Sequence, residues 1–187
     1  MSKSRGNGIS PDDILAQYGA DVMRLWVASS DYRQDMRISK DMLGHLSQNY
    51  LKIRNTARYI LGNLFDFNPQ TDKVAYAELP ELDKWALMKL NELVAKVREG
   101  YDSYEFHTVF HAIHKFCVVD MSNFYLDVIK DRLYCDDTTG LSRRSAQTAM
   151  YNILSALVRM LSPILCFTAD EIWQAMPHTE EDDVRNV

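Results

Sequence analysis

Lys40-Asp41-Met42-Leu43-Gly44-His45-Leu46-Ser47-Gln48-Asn49-Tyr50-Leu51-Lys52-Ile53-Arg54-Asn55-Thr56-Ala57-Arg58-Tyr59-Ile60-Leu61-Gly62-Asn63-Leu64 decides the fold. Leu43, Leu46, Tyr50, Ile53, Ala57, Ile60, Leu61 and Leu64 recur at steps of three and four, which lays one apolar stripe along a long helix of period 3.6. A helix with such a stripe must bury it against other helices or a sheet. The 7 Gly and 5 Pro among 187 residues are too few for the many turns of a sandwich, so the partners are expected to be helices.

The flanking sequence supplies them. A second helix is predicted from about Pro80 to Tyr101, with Leu82, Ala86, Leu90, Leu93, Val94 and Val97 inward, after a loop from Phe65 to Leu79 that holds Asn68-Pro69. A third stretch covers Tyr104 to about Tyr134 and is expected to bend near Asp120-Met121-Ser122. A fourth runs from Ser142 to Leu161, short of Pro163. Thr168-Ala169-Asp170-Glu171 reads as a capping box for a short final helix that Pro177 ends. Upstream, Ser10-Pro11-Asp12-Asp13 opens a helix that Gly19 stops, and Asp21 to Ser29 forms another. The fold class is therefore all-α, an antiparallel helix bundle over 40–177. A small unit over 1–39 precedes it, and an acidic stretch over 178–187, read as a solvated linker, follows it.

Hydrophobic residues at 47% and charged residues at 25% are globular proportions. The net charge of −5 excludes a general basic coat for nucleic acid and leaves room for a local basic face. Cys117, Cys135 and Cys166 form no CxxC pair, which argues against a thiolate zinc site or a disulfide framework and fits a reducing cytoplasm. No apolar run approaches the roughly 20 residues that cross a bilayer. His107, His111 and His114 could share a helix face, yet Thr108 stands where an HExxH motif needs glutamate and no further ligand is near, so no metal site is expected.

Ser2-Lys3-Ser4, followed by Gly6-Asn7, offers an ammonium, two hydroxyls and accessible amides, a set that can grip a polyphosphate. Met1 to Asn7, with Ser10-Pro11-Asp12-Asp13-Ile14 and Tyr18-Gly19-Ala20-Asp21-Val22-Met23-Arg24-Leu25-Trp26 behind it, resembles the KMSKS loop and downstream helices of class I aminoacyl-tRNA synthetases. Tyr50 to Arg58, Phe124 to Tyr134, Arg143 to Ala149 and Pro163 to Trp173 resemble the anticodon-binding domain of the isoleucyl branch. The last of these stretches is shared with the valyl and leucyl branches.

The resemblance implies a catalytic Lys3, with Ser2, Lys3 and Ser4 clamping ATP, and a missing first lysine just ahead of Met1. It implies ATP with Mg2+ and isoleucine as substrates of the whole enzyme, with no cofactor held by this piece. It also implies tRNA(Ile) as partner, a cytoplasmic location and a monomer. The family's HIGH-type motif, amino-acid pocket and editing domain are not among these residues, so this piece is expected to be inactive alone. For tRNA the candidate residues are Arg54 and Arg58, four apart on one flank of the first long helix, and Arg143 and Arg144, whose charges oppose the dipole of the helix they open. Trp85 or Tyr59 could stack on an unpaired base. The alternatives are a valyl- or leucyl-type piece, or a helical scaffold for a protein partner.

Overall fold

Ser10 and Ser39 each begin a helix, because the hydroxyl of each accepts the amide N–H that the first turn leaves unpaired: Asp12 N–H at 3.3 Å and Met42 N–H at 3.1 Å. The computed structural model describes residues 10–185 and 187 of the chain. The helices are α1 (Pro11–Tyr18), α2 (Ala20–Ser29), α3 (Lys40–Gly62), α4 (Glu81–Asp102) and α5 (Phe106–Lys115). They continue with α6 (Leu126–Val128), α7 (Lys130–Tyr134), α8 (Leu141–Leu161) and α9 (Cys166–Ala175), and there is no strand among the described residues. The all-α bundle expected from the apolar stripe is the fold.

The bend expected near Asp120 takes the form of π-helical winding over Phe116–Tyr125. Wider winding shifts the hydrogen-bond ladder by one residue and re-aims the side chains after it. Thr56 of α3 meets this segment, with its hydroxyl 3.0 Å from Ser122 Oγ and 3.4 Å from the Cys117 carbonyl.

α8 is the central helix. Ala146, Ala149, Met150, Ile153, Leu154, Leu157, Val158 and Leu161 are buried around it, packed by α4 on one side and α9 on another. The crossover from α4 to α5 is tight: a Cβ on Gly100 would come within 2.7 Å of Val109 Cγ2, so any larger residue there would force the Val109 side chain to shift.

Two expectations are corrected. α9 begins at Cys166, so Thr168 lies inside its first turn and does not cap it; Thr168 N–H donates 2.7 Å to Asp21 Oδ2 from α2. The described part of the N-terminal unit packs on the bundle: Leu25 and Ala28 join its core, and Arg24 donates to the carbonyls of Ile164 at 2.7 Å and Pro163 at 2.9 Å. Lastly, the acidic run is not simply solvated. Asp182 accepts from Thr179 N–H at 2.8 Å and lies 3.7 Å from Arg159, while Trp173 Nε1–H and Gln174 Nε2–H donate to the carbonyls of Asp183 and Val184. These bonds strap the tail across α8 and α9.

Three carboxylates tie loops to helices and titrate below their ordinary value of 3.8. Burial pushes Asp66 up, but hydrogen bonds from Arg143 and Gln147 outweigh it; Asp72 and Asp182 are lowered first by the amides of Asn68 and Thr179. A pKa lower in the folded state gives stability that is complete above the unfolded value and is lost as pH falls through the folded one. Thermal unfolding midpoints are expected to be flat from neutrality to about pH 5 and to fall steadily below about pH 4. An Asp66→Asn variant should start lower and fall less; an identical acid limb would remove Asp66 from this account.

Candidate nucleic-acid interface

Arginine can serve a helix end or a ligand, and burial separates the two roles. Arg143 is 5% exposed. Its Nη1–H and Nη2–H donate to the two carboxylate oxygens of Asp66 at 2.6 and 3.1 Å, and the remaining donors reach the carbonyls of Leu133 and Thr138. Arg144 donates to the Asp66 carbonyl and Gln147 Oε1, and lies 3.4 Å from Asp72. Gln147 Nε2–H completes the set by donating to Asp66 Oδ1 and the Asn63 carbonyl. The charges that oppose the α8 dipole therefore hold the Phe65 to Leu79 loop, and Arg143 is moved from the RNA face to the interior.

Arg132 forms a second closed set. It grips Asp83, fully buried at 0% exposure, through Nη1 at 3.0 Å and Nη2 at 2.6 Å, and Tyr125 OH donates to the same carboxylate at 2.7 Å. Burial pushes the Tyr125 hydroxyl well above its usual range. The two sets tie α4, α7 and α8 together and spend the guanidinium groups of Arg132 and Arg143 inside the protein.

The remaining candidates lie on α3. Arg54 is 3.5 Å from Glu171 of α9, and both side chains are largely in solvent, a pairing worth little and easily exchanged. Arg58 is exposed and makes no ion pair among the described residues. It lines an open groove of about 430 Å³ with Asn55, Tyr59, Gly62, Asn63 and Tyr134. Tyr134 is 63% exposed and its hydroxyl donates 3.1 Å to that of Tyr59, whose titration burial pushes upward. Asn63 Nδ2–H donates 2.9 Å to the Tyr59 carbonyl, which fixes its amide at the groove.

Trp85 does not line this groove. It stands edge-on to Phe124, ring centroids 4.9 Å apart, half-buried against the core. Tyr134, which sequence reasoning passed over as a stacking surface, is the exposed ring beside Arg58. The signal was present in its place at the end of a helix, ahead of the Cys135 to Gly140 turn. The three histidines are apart in function: His107 is 3.4 Å from Glu105, whereas His111 and His114 pack on Phe110. No group of three metal-ligating side chains occurs among the described residues. Ser2, Lys3 and Ser4 lie outside the described residues.

The groove thus offers a guanidinium for phosphate, two phenol rings for stacking and carboxamides for base edges. A sequence profile of the anticodon-binding domain of tRNA ligase matches residues 83–186, and one of class I tRNA synthetases (I, L, M and V) matches residues 1–39. Isoleucine–tRNA ligase of Caldicellulosiruptor bescii is 58% identical over 182 residues, 97% of this chain and 20% of the relative. That of Syntrophotalea carbinolica is 55% identical over 184 residues, 98% of this chain and again 20% of the relative. In fold, the chain is similar over its whole length to 22% of a chain in an Agrobacterium radiobacter LeuRS-tRNA-LeuAMS ternary complex, with a TM-score of 0.68 at 16% identity. The chain spans about a fifth of the length of the curated relatives it matches. With an anticodon-binding profile over more than half of its residues and isoleucine-type relatives aligned along nearly all of it, the chain belongs to the anticodon-binding domain family of class I tRNA ligases, in its isoleucine branch.

Proposed function

We propose that this chain is the tRNA-recognition part of an isoleucine–tRNA ligase, the cytoplasmic enzyme that joins isoleucine to tRNA(Ile) at the expense of ATP. Residues 1–39 supply the ATP-clamping loop, with Lys3 stabilising the charge that builds on the leaving pyrophosphate and Ser2 and Ser4 beside it. Mg2+ enters with the ATP substrate. Residues 40–177 hold the anticodon arm. The ligase acts as a monomer.

The observation that carries the RNA reading is the groove, where the unpaired Arg58 stands beside the exposed ring of Tyr134 and the amides of Asn55 and Asn63. Arg54 adds a second cation, one exchange away from Glu171. Arg144 is 14% exposed and contributes at the margin through the loop it holds.

Fluorescence anisotropy of a tRNA(Ile) transcript against the chain, repeated over a salt series, tests this. Counterion release makes log affinity fall linearly with log salt. Arg58→Ala is expected to reduce that slope by about one, with unchanged circular dichroism. Tyr134→Ala is expected to cost about 1–3 kcal/mol of affinity through lost stacking. Binding that ignores salt, or that both variants leave intact, overturns the RNA reading in favour of a protein-binding scaffold.

A further inference from the structure

α2 lies in the stretch that matches the class I synthetase profile, and α8 and α9 lie in the stretch that matches the anticodon-binding one, yet two sets of hydrogen bonds fasten them to each other. The first set is buried. Asp21 Oδ2 accepts from Thr168 N–H at 2.7 Å and from Thr168 Oγ1–H at 2.5 Å, and Tyr50 OH of α3 then donates to Thr168 Oγ1 at 2.9 Å. Asp21 and Thr168 are both buried, so water competes little for these bonds. The second set lies at the turn between α8 and α9, where Arg24 Nε–H donates 2.7 Å to the Ile164 carbonyl and Nη2–H donates 2.9 Å to that of Pro163. Asp21 and Arg24 stand three residues apart and so share one face of α2.

The apolar side of α2, with Val22, Leu25 and Ala28 buried, holds it on the bundle. Burial of apolar surface is non-directional and tolerates a small roll or slide of the helix, whereas hydrogen bonds of set length and direction do not. The two polar sets therefore fix the register and angle of α2. What α2 carries is the N-terminal segment. Gly19, at a φ of +82°, turns the chain between α1 and α2, and α1 packs chiefly on α2 with Ile14 buried. α1 goes where α2 goes, and Lys3 is tethered seven residues ahead of Ser10, a length that spans at most about 25 Å.

We propose that Asp21 and Arg24 are positioning residues for the ATP step: bonded to Thr168 and to the turn at 163–164, they set the angle at which α2, and α1 with it, presents Lys3 to ATP. The proposal rests on the reading of residues 1–39 as the ATP clamp. Neither residue touches substrate. An ammonium that stabilises charge building on a leaving pyrophosphate acts only within hydrogen-bond reach, so a small displacement at the root of its segment is costly in rate. The bundle then serves the chemistry on ATP through α8 and α9, besides holding RNA through α3.

Two variants open the joint without emptying it. Thr168→Val keeps the size of the side chain and removes the hydroxyl between Asp21 and Tyr50, and Arg24→Met keeps the stem and removes both donors. In the whole ligase, isoleucine-dependent exchange of pyrophosphate into ATP, measured without tRNA, reads the step directly. Each variant is expected to raise KM for ATP and to lower kcat/KM for ATP about tenfold, with KM for isoleucine unchanged. Arg143→Lys is the control for stability, since it loosens a different network, and losing folded enzyme reduces the number of active sites without moving KM for ATP. An unchanged KM for ATP in both variants, or a KM for isoleucine that rises in step with it, overturns the positioning role. No isoleucine-dependent exchange by the unsubstituted ligase overturns instead the ATP-clamp reading on which the proposal rests.

Discussion

Replacing Asp83 by alanine is expected to lower the unfolding free energy by about 3–5 kcal/mol, a large part of the total for a domain of this size. The change leaves the Arg132 guanidinium half-buried without its counter-charge, and it leaves the Tyr125 hydroxyl, 0% exposed, without its acceptor. The cost comes from stranding the partners more than from losing attraction, so it should shrink when the partner goes too. In urea unfolding, Asp83→Ala combined with Arg132→Ala should be much less destabilised than the two single effects added together. Strict additivity would show that the network does not act as a unit.

Arg143→Ala is the second large effect, also about 3–5 kcal/mol, for the same reason with the charges reversed: Asp66 would lose its bidentate partner at 2.6 and 3.1 Å. Arg143→Lys should recover only part, because an ammonium cannot span both oxygens of Asp66 and also reach the carbonyls of Leu133 and Thr138. The variant also separates structure from recognition. Arg58→Ala should change tRNA affinity with little change in stability, and Arg143→Ala the opposite, once binding is corrected for the fraction folded. A loss of affinity in fully folded Arg143→Ala would return that residue to the RNA face.

The two arginine sites show why the candidate site was only partly legible. In the sequence, Arg54, Arg58, Arg143 and Arg144 look alike, as pairs of cations on helices. What separates them is Asp66, 77 residues before Arg143, in a loop with no periodicity to place it. Asp83 did carry a local signal: it falls on the inward stripe of α4, four residues after Leu79 and three before Ala86, where a carboxylate requires a buried partner. Nothing local says that the partner is Arg132. Likewise the π-helical winding was visible only as a bend, since the displacement depends on how Phe116 to Tyr125 packs against α3 and α4.

Local chemistry determined the elements themselves. Apolar residues at steps of three and four, serine caps at Ser10 and Ser39, and Gly19 and Pro163 as stops act through neighbours a few residues away, so the order and approximate length of the long helices follow from the sequence by itself, while the division of the Tyr104 to Tyr134 stretch does not. The stretches at Tyr50 to Arg58, Phe124 to Tyr134 and Pro163 to Trp173 likewise marked the family. Only the tertiary structure decided which polar groups are spent. Asp21 reaches α9 across 147 residues, Asp66 takes Arg143 out of solvent, and Arg58 and Tyr134 are left on a common groove. A charge is available to a ligand only if the fold has given it no partner, and that partner is chosen by packing between segments far apart in the chain.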